Sequence, residues 1–565
     1  MNSDSKSGSK FSQGLQRYVW WVLLAGMILF SLGLWNAQIG FAEDTLPIDL
    51  AIQHAPHLTM VLNLYVDAYT LIIAFITPDP VYAGLVMRFL VSVMTTVSLF
   101  LVLRSFVPHL RMAAVFFACL VWNSSRLNAP QIQYTSVSAF AFAIMLFGVA
   151  FVVGKRSPVR ILGFLVVSGL AVTLRPEWMA PYSLIVLFLI GESVIRWIRS
   201  GGANDVRRRV GLTAAAVVVL LIGLVGVLSL PKTQQIARKA DDYLLLGLAQ
   251  CYGSYYKTQH PEMQFDPMTE YQWVLDKVFG HPGSIYEALR NNPREAMRYF
   301  VANTIKNLRN IPDELLSTRS GQTASLLKRP HAVLFFATLF GGACCAGAFF
   351  LRRLRGQSGG KVGETSDSNY PVIRRVVIVL LLASASSVAI VLLVGTPRYW
   401  ISLIPAFYLA VAACSEAIFR AARSVRFEAL YTVAGFALFC WPNFLGQGST
   451  NYDVESMRKV APLVRPHPVI CALWAEPFRV YGFRGNAESL NAWDGIKRSD
   501  IESGRVDILI LDRGFRASKT WSEQQAFFES FEQNPAQFGF AKFTDVPDSR
   551  RDVYFKPLPS EPKTN

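Results

Sequence analysis

Charge is scarce in this sequence: Asp, Glu, Lys and Arg make up 17% of 565 residues, against 52% hydrophobic residues. A water-soluble chain carries about a quarter charged residues, so that class is excluded, in keeping with a mean hydropathy of +0.32. Paired cysteines are lacking too. The seven cysteines are an odd number without CxxC spacing, and five of them (Cys119, Cys344, Cys345, Cys414, Cys440) sit in apolar blocks. That pattern excludes a structural zinc site and a disulfide-built fold, and leaves Cys251 with Cys471 as the one weakly supported pairing. Nucleotide-binding fingerprints and internal repeats are also missing.

What the sequence has is apolar blocks of the length a helix needs to cross a bilayer, about 17–25 residues. They fall at 18–40, 82–103, 112–122, 134–153, 159–174, 178–195, 210–230, 331–351, 376–394, 399–419 and 427–446. The expected fold is therefore an all-α polytopic membrane protein of about 11 transmembrane helices, the block 112–122 borrowing flanking residues. The first block follows a polar start without a small-residue cleavage site and reads as an uncleaved anchor.

The net charge of +16 would suggest nucleic acid in a soluble chain. Here the basic residues alternate with the spans. The segments 1–17, 104–111, 154–160, 196–209, 352–375 and 420–426 hold 22 Lys and Arg, against 3 in 41–81, 123–133, 174–178 and 395–400. This is a positive-inside pattern, so the charge reports topology and nucleic acid drops out. It places the segment 1–17 in the cytoplasm and the C-terminus outside. Residues 58–77 are apolar but contain Asn63 and Asp67; a crossing there would invert the arginine-rich segments, so they read as an interfacial or re-entrant helix.

The domain organisation follows. A transmembrane core spans 18–230, with an acidic first outer loop at 41–81. Residues 231–330 form a large, mostly helical outer loop with 13 basic and 10 acidic residues, and 331–446 carry the remaining spans. Residues 447–565 form a small exported α/β domain with strands at Val506 to Leu511 and near 467–474, 540–544 and 552–558. In it, Thr520 and Glu523 have the spacing of a capping box. The stretches 1–14, 356–369 and 558–565 are low in complexity and read as disordered.

Ionisable groups near the membrane default to functional hypotheses. The first outer loop carries Glu43, Asp44, Asp49, Asp67 and Asp79 and no Lys or Arg. Arg126, Arg175 and Arg398 stand singly in three other outer segments, and Arg88 lies about 9 Å into its span at 1.5 Å per residue. Carboxylates suit proton removal from a hydroxyl, and arginines suit a phosphate. Arg175 sits in Arg175-Pro176-Glu177 between two spans, and Arg398-Tyr399 follows Pro397. Each proline breaks a helix and frees backbone groups beside an arginine.

The acidic pair after the first span, the long outer loop, the Arg175-Pro176-Glu177 and Arg398-Tyr399 elements, the large loop after the seventh span and the exported domain occur in one order. In these features the chain resembles, over nearly its whole length, the GT-C superfamily of polyprenyl-phosphate-dependent glycosyltransferases. That superfamily includes protein mannosyltransferases, aminoarabinose transferases and arabinosyltransferases. The resemblance implies transfer of a sugar from a polyprenyl-phosphate donor to a lipid, glycan or protein acceptor on the outer face of a bacterial inner membrane. It implies Asp44 or Glu43 as the base; the family pair is often Asp-Asp or Asp-Glu, so which one acts stays open. It implies Arg175, Arg398, Arg126 and Arg88 as binders of the donor phosphate, supported by Glu177 and Tyr399. It implies no need for a nucleotide sugar and makes no cofactor certain, and His54 and His57 leave room for a divalent cation despite the proline between them.

Plainer readings stand beside these. Glu43 and Asp44 can cap a helix end, Arg175 can snorkel and pair with Glu177, Arg88 can pair with Asp67 or Asp79, and Tyr399 can belong to an aromatic belt. Glu192, Glu416 and Glu428 near inner helix ends read as structural, and Asp507 and Asp512 as turn residues. Asn123-Ser124-Ser125 matches a glycosylation acceptor by chance, and Arg290, Arg294 and Arg298 share one helix face by their spacing. A transporter or flippase of a lipid-linked saccharide is the rival function. It lacks support from repeats or from polar groups at mid-bilayer.

Overall fold

The computed structural model of the chain describes residues 19–28, 45–60, 63–107, 110–124, 136–154, 157–199, 211, 231–263, 271–316, 338, 340–342, 344–345, 366–386, 400–439, 452–491, 498–516, 518–544 and 551–558. In chain order the helices begin with α1 (Val19–Ile28), α2 (Thr45–His54), α3 (Leu64–Phe75), α4 (Pro80–Arg104), α5 (Met112–Ser124), α6 (Ser136–Val153), α7 (Pro158–Leu174) and α8 (Met179–Arg199). Next come α9 (Pro231–Gln259), α10 (Tyr271–Phe279), α11 (Ile285–Asn291), α12 (Pro293–Leu316), α13 (Ser366–Leu382), α14 (Ile404–Ala422) and α15 (Val425–Phe439). The described residues group into two compact units. One is Met1–Ser31, Ser92–Asn128 and Ser138–Phe444, and the other Leu32–Val91, Ala129–Val137 and Leu445–Asn565.

In the first unit α5 packs on α14 and α15, α8 on α7 and α13. Gly435 of α15 lets the ring of Phe117 approach; a Cβ there would stand 2.8 Å from it. Small residues at such crossings are how apolar helices gain contact where there is no water to expel. The acids read as structural are so. Glu192 is held by Arg374 at 3.0 Å, both nearly fully buried, and Arg374 Nη1 also donates to Val152 O at 2.8 Å at the end of α6. Glu416 accepts from Arg420 Nε at 2.6 Å and from the backbone N–H of Arg111 at 2.7 Å, and Arg111 also pairs with Glu428.

Two described helices are long and apolar enough to cross a membrane: α4, and Ile401–Ala422, which is α14 with the short turn before it. The 25 residues of α4 rise about 37 Å, more than a ~30 Å hydrocarbon layer. Shorter apolar helices occupy most of the other expected spans, while 210–230 and 331–351 lie largely, and 376–394 in part, outside the described residues. The segment 58–77 contains only the twelve-residue α3, capped by Asn63, whose side chain accepts from the Tyr65 N–H at 3.1 Å. At about 18 Å it is too short to cross, and it exposes Leu64, Leu71 and Phe75 along one stripe.

The described residues of 231–330 are mostly helical, with Leu248, Tyr252, Val274, Phe279, Ala296 and Tyr299 in their core. Burial, with Glu295 beside it, pushes the Tyr252 phenol above its ordinary range. The arginine row of the sequence reading is broken here. Asn291 ends α11 and Pro293 opens α12, so Arg290 belongs to a different helix from Arg294 and Arg298, and Arg298 contacts Glu295 at 3.5 Å. The match to a glycosylation acceptor is accidental, as expected: Asn123 is 1% exposed and donates to Met27 O.

In the second unit, residues beyond 452 form an α/β domain as expected. Strands β1 (Val469–Ala472), β2 (Glu488–Asn491), β3 (Ile508–Asp512), β4 (Ala541–Phe543) and β5 (Arg551–Phe555) lie in the order β2-β1-β3-β5-β4. The pairs of β1 with β2 and β3 are parallel, and those of β5 with β3 and β4 antiparallel. Both faces are covered: Leu509 and Leu511 meet Phe515, Phe528 and Phe531, while Ile508 and Ile510 meet Met457, Val460 and Phe478. That is why the Val506 to Leu511 run is apolar throughout rather than alternating. Cys471 in β1 and Cys251 in α9 are both free thiols, which removes the conceivable disulfide. Burial pushes the Cys471 thiol well above its usual range, with Asp500 adding to it.

The capping box is also corrected. The helix Lys519–Glu523 is capped by Ser518, whose Oγ accepts the Trp521 N–H at 3.3 Å, and Thr520 is a buried position inside it. Ser518→Ala is expected to lower the stability of this domain by about 1 kcal/mol, and Ser518→Asp to retain it. Urea midpoints by pulse proteolysis check both, and equal midpoints for the two variants would refute the assignment.

Candidate functional site

Glu43, Asp44, Arg126, Arg398 and Tyr399 lie outside the described residues. Arg175, Glu177, Arg88, His54 and His57 are described, as are the other acids of the first outer loop.

Arg175 ends α7 and adjoins a proline. A residue before proline is driven out of the helical region, and Arg175 is extended, with φ −146° and ψ 112°. Pro176, Glu177 and Trp178 then make one tight turn before α8. The result is a hinge between two apolar helices that projects a guanidinium. Its nearest acid, Glu177, is 3.9 Å from Nε with both side chains partly exposed, a pair worth at most about 1 kcal/mol. Among the described residues Arg175 Nε has no hydrogen-bond partner. Neither has Nε1 of Trp178, an indole 1% exposed that stacks on Phe142. Trp400, next after Arg398-Tyr399 in the sequence, is fully buried with Nε1 likewise unpartnered. By contrast, the buried Trp122 donates to Thr96. Buried donors without acceptors are uncommon because each costs about 1–3 kcal/mol. The sequence reading passed over both tryptophans, although each closely follows a singled-out arginine.

Arg88 lies within α4 at 4% exposure and is engaged inside the protein. His54 closes α2 and His57 lies in the short turn after it. Among the described residues no group of three or more His, Cys, Asp or Glu converges as a metal site would.

The loop acids have an assignment the sequence did not foresee. Asp49 in α2 is 8% exposed and pairs with Arg479 Nη2 at 2.7 Å. Asp79, 9% exposed, accepts from Arg458 Nη2 at both carboxylate oxygens, at 2.7 and 2.9 Å, with Arg484 at 3.9 Å. Asp79 Oδ1 also accepts the Val81 N–H at 2.8 Å, capping α4. All three arginines belong to the C-terminal domain. The available signal was a local surplus: residues 458–484 hold five basic side chains and one acid.

No family model matches this chain, and no curated protein matches it. Among solved structures it is similar to the apo oligosaccharyltransferase of Archaeoglobus fulgidus, with TM-score 0.43 and 10% identity over 88% of this chain and 70% of that one. It is also similar to ArnT from Cupriavidus metallidurans in the apo state, with TM-score 0.37 and 12% identity over 95% and 98%. ArnT bound to undecaprenyl phosphate gives TM-score 0.38 and 12% identity over 96% and 98%.

Proposed function

We propose that this chain is a membrane glycosyltransferase that moves a sugar from a polyprenyl-phosphate donor to an acceptor hydroxyl or amine on the outer face of a bacterial inner membrane, with its N-terminus cytoplasmic. The observation that carries the reading is the Arg175 hinge: a guanidinium set between apolar helices, bound only loosely to Glu177, with donors at Arg175 Nε and Trp178 Nε1 that find no acceptor among the described residues. A phosphate carried on a lipid is an anion suited to a guanidinium at the end of an apolar helix.

The acceptor oxygen or nitrogen attacks the anomeric carbon as the bond from that carbon to the phosphate oxygen breaks. The acceptor proton passes to the carboxylate of Asp44 or Glu43, and the polyprenyl phosphate leaves with the bonding pair. Arg175, with Arg398 and Arg126, meets the charge growing on that phosphate. Arg88, already engaged, contributes positive potential from within its helix.

The test uses protein in vesicles with a panel of labelled polyprenyl-phosphate sugars and envelope acceptors, reading released polyprenyl phosphate. Arg175→Gln is expected to lower kcat/KM for the donor roughly 10- to 100-fold, the loss of one hydrogen bond to a charged group. Lipid-sugar that changes leaflet without release of carrier would replace the transferase with a flippase.

A further inference from the structure

The segment 41–81 carries five acids and no Lys or Arg, and two of those acids are nearly buried. A carboxylate is not buried without a counter-charge, so the loop depends on charges from elsewhere in the chain. These come from the C-terminal domain and grip the loop near both ends, through Arg479 to Asp49 and Arg458 to Asp79.

The Asp49 contact is built in detail. Arg479 also donates through Nη1 to Gly485 O at 3.3 Å, so the guanidinium is braced before it reaches the acid. Gly485 has φ +80°, a conformation other residues rarely adopt, and a Cβ there would come 3.2 Å from Asp49 Oδ1. Glycine lets the domain's backbone pass under the carboxylate. Asp49 itself stands on α2, which begins at Thr45, the residue after Asp44. Asp79 caps α4 at the other end of the loop.

We infer that the C-terminal domain acts as a brace for the segment 45–79, with Asp49, Asp79, Arg458 and Arg479 as positioning residues that hold α2, the helix next in sequence after the proposed base. This rests on the transferase reading for its consequence in catalysis, but not for the brace itself. The domain then contributes to turnover without touching the reacting atoms.

The experiment compares wild type, Arg479→Met, Asp49→Asn and the reversed pair Asp49→Arg with Arg479→Asp, all as full chains in vesicles. Two readouts are taken: kcat and donor KM from carrier release, and amide hydrogen exchange over 45–60 and over the sheet strands. The single variants should lose tenfold or more in kcat with donor KM within twofold. Exchange should rise over 45–60 and stay unchanged in β1, β3 and β5. The reversed pair should recover part of both. Unchanged exchange over 45–60 overturns the brace whatever the activity, and so does faster exchange throughout the sheet, which would mean that the domain had merely unfolded. Looser exchange over 45–60 with full kcat overturns the positioning role. Looser exchange in a chain whose wild type releases no carrier from any donor overturns the transferase reading and the positioning role with it, leaving only the brace.

Discussion

Replacing Asp44 by Asn is expected to slow sugar transfer by roughly 10²–10⁴-fold if Asp44 rather than Glu43 is the base, the usual contribution of a positioned general base. The amide keeps the size and the hydrogen-bonding reach of the carboxylate and removes only its basicity, so donor KM should change little. Glu43→Gln is the necessary companion, because the two acids are adjacent and the resemblance does not choose between them. One of the two variants should retain most of its single-turnover rate. If both stay within twofold of wild type, the pair is not the base and the reading of the first outer loop as catalytic is wrong.

The second large effect is structural. Arg374→Met should destabilise the helical unit by about 3–5 kcal/mol, because it leaves Glu192, with a side chain 3% exposed, without its counter-ion. It also strips the Val152 carbonyl at the end of α6 of a donor, where a cation is favoured by the helix dipole as well. Glu192→Leu combined with Arg374→Leu should recover most of the loss, since an apolar pair needs no compensation. Melting in detergent should therefore rank wild type and the double variant together, above either single variant. A single variant melting with wild type would mean that water reaches the pair.

How much of this was legible in the sequence depends on how local the cause was. Apolar blocks and turn-forming prolines act within a few residues, so the helices from α4 to α8 and the strand after Val506 were readable, as was the end of α7 at Pro176. Strand β2 was missed because Glu488-Ser489-Leu490-Asn491 lies at the sheet edge, where polar residues are tolerated and no apolar pattern is demanded. Ser518 displaced Thr520 as the cap because a cap is decided by backbone geometry, and two hydroxyl residues stood two positions apart. The break in the arginine row was readable from Pro293 and was overlooked. The fate of Asp49 and Asp79 was not readable at all: their partners are 430 and 379 residues away, and no local rule reaches that far. Of the candidate site, the Arg175 hinge was visible as a motif. Its unpaired donors were not, since satisfaction is a property of the packed neighbourhood.

That separation in the chain has a consequence for biogenesis. The loop bearing Asp49 leaves the ribosome about 400 residues before Arg479 exists, a delay of roughly 20 to 80 s at ~5–20 residues per second. Throughout that interval Asp49 of α2 and Asp79 before α4 lack arginines that have not yet been made, so both acids stay hydrated. The strands of the terminal domain lie within 90 residues of one another and can assemble as soon as they emerge. A segment synthesised late thus completes one made early, and a ribosome that stalls before residue 458 leaves Asp49 and Asp79 without the arginines that pair with them.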